Sequence, residues 1–239
     1  MKLNIGILLS NTDRSAFASR FDNDGLKTAA LLARQRPDWG YTIYQAVDGE
    51  LPARTDAHDG YVITGSPASV NVDEPWMSGL FEFIRRCAAA EAPVVGLCFG
   101  HQAIAHALGG QVEQASDWGL GIAVTEFDAP AHWMQPRREQ LSLHAAHEDQ
   151  VTGLPPGARR LGGNAWCHYG AFAIGNHVFT TQYHPEFNHD FMHALVRDKI
   201  GPHLDVATVS DALAQLAQTD PQADADIFAH WMIQFFEQA

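Results

Sequence analysis

The sequence has few cysteines, few positive charges and no long apolar run, and each shortage closes a class of function. Only Cys87, Cys98 and Cys167 occur among the 239 residues, with no C-x-x-C spacing. So sparse and odd a set builds no disulfide framework and suits a reducing compartment, so a cytoplasmic location is expected. Lysine and arginine together number 15 against 28 aspartates and glutamates, a net charge of −13. Such a chain repels phosphate backbones and gains nothing from an anionic membrane surface, which argues against nucleic acid and membranes as partners. No stretch approaches the roughly 20 apolar residues that span a bilayer. The opening MKLNIGILLS has one positive charge and a short apolar run broken by Asn4. It reads as a first β-strand rather than a signal peptide. A G-x-x-x-x-G-K-[ST] phosphate loop is also missing, as are internal repeats and low-complexity tracts.

What is present is enough for a sizeable core, with 46% hydrophobic and 18% charged residues. Lys2 to Leu9 is apolar at nearly every position, the pattern of a strand buried on both faces of a parallel sheet. Helical spacing follows over Asp24 to Arg36, then strands at Tyr41 to Val47 and Gly60 to Thr64. Pro75 to Ala90 reads as a helix with proline in its first turn, Pro93 to Leu97 as a strand and His101 to Leu108 as a helix ended by Gly109 and Gly110. The alternation predicts an α/β fold, an open, doubly wound, mostly parallel sheet with helices on both faces. After Gly110 come short strands at Gly121–Phe127, Gln140–Ala145, Ala158–Gly162, Gly170–Ile174 and His177–Tyr183, expected to form a small antiparallel layer beside that core. Helices return at His189–Lys199, Val206–Ala217 and Asp224–Phe236. The expected organisation is one α/β domain over 1–200, with a helical extension over 201–239 packed on it. Phe228, Trp231, Phe235 and Phe236 have helical spacing and are read as packing residues; a dimer face is the alternative, so homo-oligomerisation stays open.

The most informative segment is Pro93-Val-Val-Gly-Leu-Cys98-Phe-Gly-His-Gln102. It sets a cysteine at the end of a buried strand and directly before a helix. Gly96 and Gly100 flank it in a G-x-C-x-G pattern, the thiol counterpart of the G-x-S-x-G nucleophile elbow. A sharp turn here needs glycines two residues away, because side chains there would crowd the strand and the helix. The following helix N-terminus favours thiolate, the reactive form. A free cysteine is more often a core residue, and Cys87 and Cys167 are read as such.

A thiol nucleophile needs a base, and the base an orienting group. With 13 histidines, number alone selects none. In Val178-Phe-Thr-Thr-Gln-Tyr-His184-Pro-Glu186 a strand runs into a loop. Residues two apart on a strand share a face, so His184 and Glu186 are expected to project together, with Pro185 stiffening the step. Alone, H-P-E is an ordinary surface turn; paired with the elbow it becomes the candidate base and orienter.

GLCFGHQ followed 86 residues later by HPE resembles the class I, triad-type glutamine amidotransferases over roughly Ile5 to Phe187. The resemblance implies a flavodoxin-like fold and a triad of Cys98, His184 and Glu186. Gly60-Tyr-Val-Ile-Thr-Gly65-Ser-Pro67 is similar to the family's strand and glycine loop that supplies one oxyanion-hole N–H, here that of Gly65; the second would be that of Phe99. His144-Ala-Ala-His147-Glu-Asp149-Gln-Val151 resembles the family's S-H-x-D-x-V segment, which lines the glutamine pocket. Ala146 stands where serine is more usual, so any contact there is through backbone. Gln102, Ala146 and His147 are thereby candidate substrate-binding positions.

The resemblance implies attack of Cys98 on the γ-carboxamide of glutamine or on a γ-glutamyl compound, a γ-glutamyl thioester, and release of glutamate, with no cofactor. The partner is then a small γ-glutamyl molecule, and in a true amidotransferase also a synthetase that accepts ammonia. About 50 residues follow the triad, too few for a synthetase domain. Similar stand-alone proteins are the free amidotransferase subunit of GMP synthase and the γ-glutamyl peptidases, which need no synthetase. A catalytically silent regulatory module on the same fold is a further alternative, disfavoured because no triad residue is lost. A related elbow class carries its triad histidine directly after the cysteine, where Phe99 stands here. A metal centre is not expected: His189 and His193 are four apart but lack the H-E-x-x-H glutamate, and His144 and His147 should face opposite sides of a strand.

Overall fold

The computed structural model describes residues 2–239. Its centre is a seven-stranded sheet. The strands are β1 (Asn4–Leu9), β2 (Gly40–Gln45), β3 (Gly60–Ile63), β4 (Val94–Leu97), β7 (Ala158–Gly162), β8 (Ala171–Ile174) and β9 (Val178–Thr181). Their spatial order is β2-β1-β3-β4-β9-β8-β7. The first five in that order run parallel, and β8 and β7 close the sheet antiparallel. The order reverses direction between β1 and β3, and ligand crevices of open α/β sheets form at such a switch point, beyond the strand C-termini.

Period-two alternation sorts each strand between two cores. Ile5, Ile7, Val62, Val95, Leu97 and Phe179 face one layer, and Leu8, Tyr61, Ile63, Val94 and Val178 the other. Helices α2 (Pro75–Ala89) and α3 (Phe99–Ala107) cover the second face. α2 starts on Pro75, whose missing N–H costs nothing in a first turn. The first face is covered by α1 (Asp24–Ala33), opened by an Asn23 cap on Leu26 N–H, and by α6 (Gln222–Gln238). Phe228 of α6 stacks on Phe179 of the sheet at 5.1 Å, and Trp231, Phe235 and Phe236 are buried with it. These four rings are therefore interior packing of this chain and not a dimer face. α4 (His189–Ala194) runs on through a wide π-helical stretch, Leu195–Ile200, and α5 (Val206–Gln218) packs on the strand Gln111–Glu126.

Three expectations need correction. The small antiparallel layer is present, but only two of the five strands expected in it belong to it. β5 (Gln111–Glu126) and β6 (Gln140–Gly153) are far longer than expected and pair alone as a two-stranded ribbon, while β7, β8 and β9 enter the main sheet. β9 lies parallel to β4 and is buried at every position, the apolar signature of a central parallel strand. The elbow helix starts at Phe99, not His101, because Cys98 itself occupies the cap position. And β9 ends at Thr181, so His184 and Glu186 lie beyond the strand and do not share a strand face.

Candidate active site

Cys98 follows β4 with φ 48° and ψ −104°, in the left-handed half of backbone space that residues with a Cβ avoid. Two backbone hydrogen bonds hold it there, Cys98 N–H to Thr181 O at 2.9 Å and Gln102 N–H to Cys98 O at 3.1 Å. The flanking glycines explain themselves in space. A Cβ on Gly96 would lie 2.7 Å from the backbone of Gly100, and one on Gly100 would run into the carbonyl of Ile63 on the neighbouring strand. The elbow is thus packed backbone to backbone, leaving the thiol at the mouth of α3.

His184 reaches this thiol from the far side of β9. A turn after Thr181 brings its N–H onto His144 O of β6 at 2.9 Å, an isolated bridge that anchors the segment. Its Nδ1 lies 2.8 Å from Glu186 Oε1, both side chains buried. Glu186 Oε1 accepts a hydrogen bond from Nδ1–H, which stays on the imidazole and so leaves Nε2 for the thiol side. The imidazole lies flat on Phe187, centroids 3.9 Å apart at 8°. Burial opposes charge on His184, but the charges of Cys98 and Glu186 outweigh it, raising its pKa well above the ordinary range. That electrostatic setting suits an imidazolium held between two anions.

Gly65 sits just past β3, where an added Cβ would meet His184 Cε1 at 2.9 Å and Cys98 Cβ at 3.7 Å. The N–H groups of Gly65 and Phe99 find no acceptor among the described residues. Both lie beside the thiol, one on the loop after β3 and one in the first turn of α3.

A cavity of about 430 Å³ opens over these residues; Gly65, Cys98, Ala146 and His184 are in its wall. Gln102 and His147 are not. Both are buried behind the cysteine, where Gln102 Nε2 donates to Asp149 O at 2.7 Å and to Gln182 Oε1 at 3.2 Å. His147 Nδ1 lies 3.2 Å from the same Asp149 carbonyl. Burial pushes His147 down to about 3. His144 and His147 do part company along β6, the first towards His189 and the second towards Trp166 and Tyr183.

Two features escaped sequence reasoning. Gln182, fully buried, donates its Nε2 to Cys98 Sγ at 3.6 Å. Its position two residues before His184 was the available signal. The second is the Ser10–Asn23 segment between β1 and α1, which folds over the cavity. Phe17, Phe21 and Phe191 pack there at 5.1 to 6.0 Å, and Lys199 ties the segment down through Asp13 at 3.0 Å. Among the described residues no group of three or more His, Cys, Asp or Glu is placed to hold a metal ion, His189 and His193 included. No described helix is long and apolar enough to cross a membrane.

Comparison with known proteins fits this arrangement. Residues 41–200 match the family described as Glutamine amidotransferase class-I. Gamma-glutamyl peptidase 3 of Arabidopsis thaliana is 31% identical over 165 residues, 65% of this chain and 66% of that one. A glutamine-hydrolysing GMP synthase of Thermomicrobium roseum is 36% identical over 193 residues, 77% of this chain but only 35% of the relative. The chain thus spans just under two thirds of the first curated relatives, 66% and 64% of two Arabidopsis peptidases. Among solved structures, a glutamine amidotransferase from Methylobacillus flagellatus superposes with a TM-score of 0.78 at 24% identity, over 99% of this chain and 95% of that one. One from Thermotoga maritima gives 0.72 at 17%, over 99% of both chains, a likeness of fold. With the family match covering most of its length, and its fold shared with those structures, this chain belongs to the class I glutamine amidotransferases.

Proposed function

We propose that the chain hydrolyses γ-glutamyl amide bonds through a thioester on Cys98. The observation that carries this is the convergence on one cavity of a cysteine in a φ 48° elbow and a buried His184–Glu186 pair at 2.8 Å. The Cys98 thiolate attacks the γ-carbonyl carbon, and the oxyanion is received by the N–H groups of Gly65 and Phe99, each worth about 3 kcal/mol. The C–N bond breaks as the His184 imidazolium gives its proton to the departing amine. His184, now neutral, then takes a proton from water, whose oxygen displaces the thiolate and releases the γ-carboxylate. Gln182 steadies the sulfur, and Gln102 and His147 support the wall from behind; Ala146 offers backbone to the substrate.

Relatives named as gamma-glutamyl peptidases and as a glutamine-hydrolysing GMP synthase support a γ-glutamyl amide as the common substrate element. A peptidase that needs no synthetase is favoured over an ammonia donor by the Ser10–Asn23 cover, which encloses room well beyond the thiol. We take residues 1–200 as the working unit, with 201–239 as a helical extension whose buried rings pack on the sheet, and its three free thiols suit the cytoplasm. The test is glutamate release from glutamine, glutathione and γ-glutamyl dipeptides, with and without synthetase partners, in the natural protein and in Cys98→Ala. Loss of all turnover in Cys98→Ala is expected; retained turnover overturns the mechanism.

A further inference from the structure

On the mechanism proposed above, a γ-glutamyl group would fill the end of the cavity where Cys98, His184 and Gly65 meet. When the leaving group is ammonia, nothing more is required. Yet the cavity continues outward under the Ser10–Asn23 segment, and its total of about 430 Å³ is in the range that takes drug-sized molecules. The outer part is walled by the rings of Phe17, Phe21, Phe187 and Phe191.

Set among these rings is a nearly buried ion pair. Lys27 Nζ lies 2.8 Å from Asp24 Oδ1, with side chains 10% and 2% exposed. The ammonium stands 3.5 Å from the centroid of Phe191 and 5.2 Å from that of Phe187. Phe187 in turn lies flat on the imidazole of His184. A positive charge is therefore held two ring contacts from the reacting centre. The chain has only three lysines, and two of them, Lys27 and Lys199, line this cavity.

The charge balance leaves Lys27 available. Asp24 is satisfied from its other side by Asn11 Nδ2 at 2.6 Å, and it sits in the first turn of α1, where the helix dipole favours an anion. Lys27 spends one of its three donors on Asp24 and has no other acceptor among the described residues. Of the other charges lining the cavity, Asp13 is paired with Lys199, Arg14 with Asp48, and Asp22 is a solvent-exposed carboxylate on the Ser10–Asn23 segment, where water screens it. Burying an ion pair gains little stability over apolar packing of the same volume. A buried ammonium on an aromatic wall is better explained by a ligand anion that it meets.

Resting on the reading of Cys98 as a γ-glutamyl nucleophile, we infer that Lys27 and the surrounding phenyl rings form a subsite for the leaving amine. Its ligand is an amino acid or short peptide with an apolar side chain, joined to the γ-carbonyl through its nitrogen, whose free carboxylate pairs with Lys27. The substrate class is then γ-glutamyl peptides with apolar, carboxylate-bearing leaving groups.

The test separates binding from chemistry. Calorimetry on Cys98→Ala protein compares γ-glutamyl-leucine with γ-glutamyl-leucinamide, which differ only in the carboxylate. The acid is expected to bind about tenfold tighter, the scale of a hydrogen bond between charged groups. Lys27→Met in the same background should shrink that ratio to within about twofold, the change expected once the charged partner is gone. Because Lys27→Met strands a buried carboxylate, the double variant Asp24→Asn with Lys27→Met is measured alongside. Equal binding of acid and amide, no binding of either, or a ratio that survives in a folded variant overturns the subsite. Turnover by the natural protein is read separately: discrimination without turnover removes the Cys98 reading and leaves the subsite, and turnover without discrimination does the reverse.

Discussion

Gly65 and His184 touch: a methyl group on the glycine would stand 2.9 Å from Cε1 of the imidazole, closer than real Cβ contacts come. The loop after β3 and the turn after β9 are therefore fitted to each other, and a donor N–H and a base share one small space.

Gly65→Ala should accordingly injure chemistry more than folding. The added carbon displaces the imidazole and the loop N–H together, so kcat is expected to fall about a hundredfold or more, the usual scale for spoiling an oxyanion donor. The obstacle is a side chain rather than backbone, so thermal unfolding should change less than kcat does. Glutamate release and melting by circular dichroism, measured together, decide it; a large loss of stability with unchanged kcat contradicts the arrangement.

Gly100→Ala should do the opposite. Its Cβ meets the backbone of Ile63, which cannot swing aside as a side chain can. Strand β3 or helix α3 must shift, at a cost of about 1–3 kcal/mol, typical of overpacking. Urea unfolding measures this directly, and an unchanged midpoint would show that the elbow is looser than described.

The Glu186 carboxylate should be visible in the pH profile. Burial works against the charged imidazole, while Cys98 and Glu186 together raise His184 well above its ordinary value. Glu186→Gln removes one of those two anions. The alkaline limb of kcat/KM, where the imidazolium loses its proton, is expected to move towards lower pH. A limb that stays in place means that Glu186 does not set the charge on His184.

Stability should fall on acidification before the carboxylates titrate. Burial is the main cause that pushes His101 and His147 down to about 3 and His144 to about 4, from 6.5. These groups stay neutral in the folded chain while the unfolded chain takes up protons. Their contribution is complete above about 6.5 and is lost as pH falls to about 4 for His144 and about 3 for His101 and His147, at up to about 1.4 kcal/mol per pH unit for each. His184 has the opposite sign: its contribution is full below 6.5 and is lost as pH rises through its raised folded value. Urea midpoints from neutral to mildly acid pH test this, and His144→Leu should flatten the slope. A slope that is flat in the natural protein refutes neutral burial of the three.

Thiol reactivity should be confined to one site. Burial pushes Cys87 and Cys167 up to about 12, which keeps them as inert thiols. A diazo-ketone analogue of glutamine is expected to label Cys98 and spare both. Intact mass and peptide mapping give the answer; label on Cys87 or Cys167 counts against the elbow.

Much of this was legible along the chain, where the information is local. The apolar β1, the proline that opens α2 and the glycines around Cys98 are contiguous signals, because backbone sterics and strand burial act over a few residues. They carried the α/β class, the elbow and the order of its motifs. Other features depend on segments far apart in sequence. Thr181 finds its place opposite Leu97, 84 residues away, and that pairing alone turns β9 from a presumed antiparallel strand into the parallel neighbour of β4. His184 and Glu186 meet through a turn anchored on His144, not through the pleat of a strand. Gln182 behind the sulfur, Gln102 and His147 withdrawn from the cavity, and Lys27 among the phenyl rings all follow from packing between layers. The nucleophile candidate and the turn that holds it are written in a few contiguous residues around Cys98. Tertiary structure decided which groups reach it and what lies beyond it in the cavity, because those contacts are set by layers closing over one another and not by any neighbour in the chain.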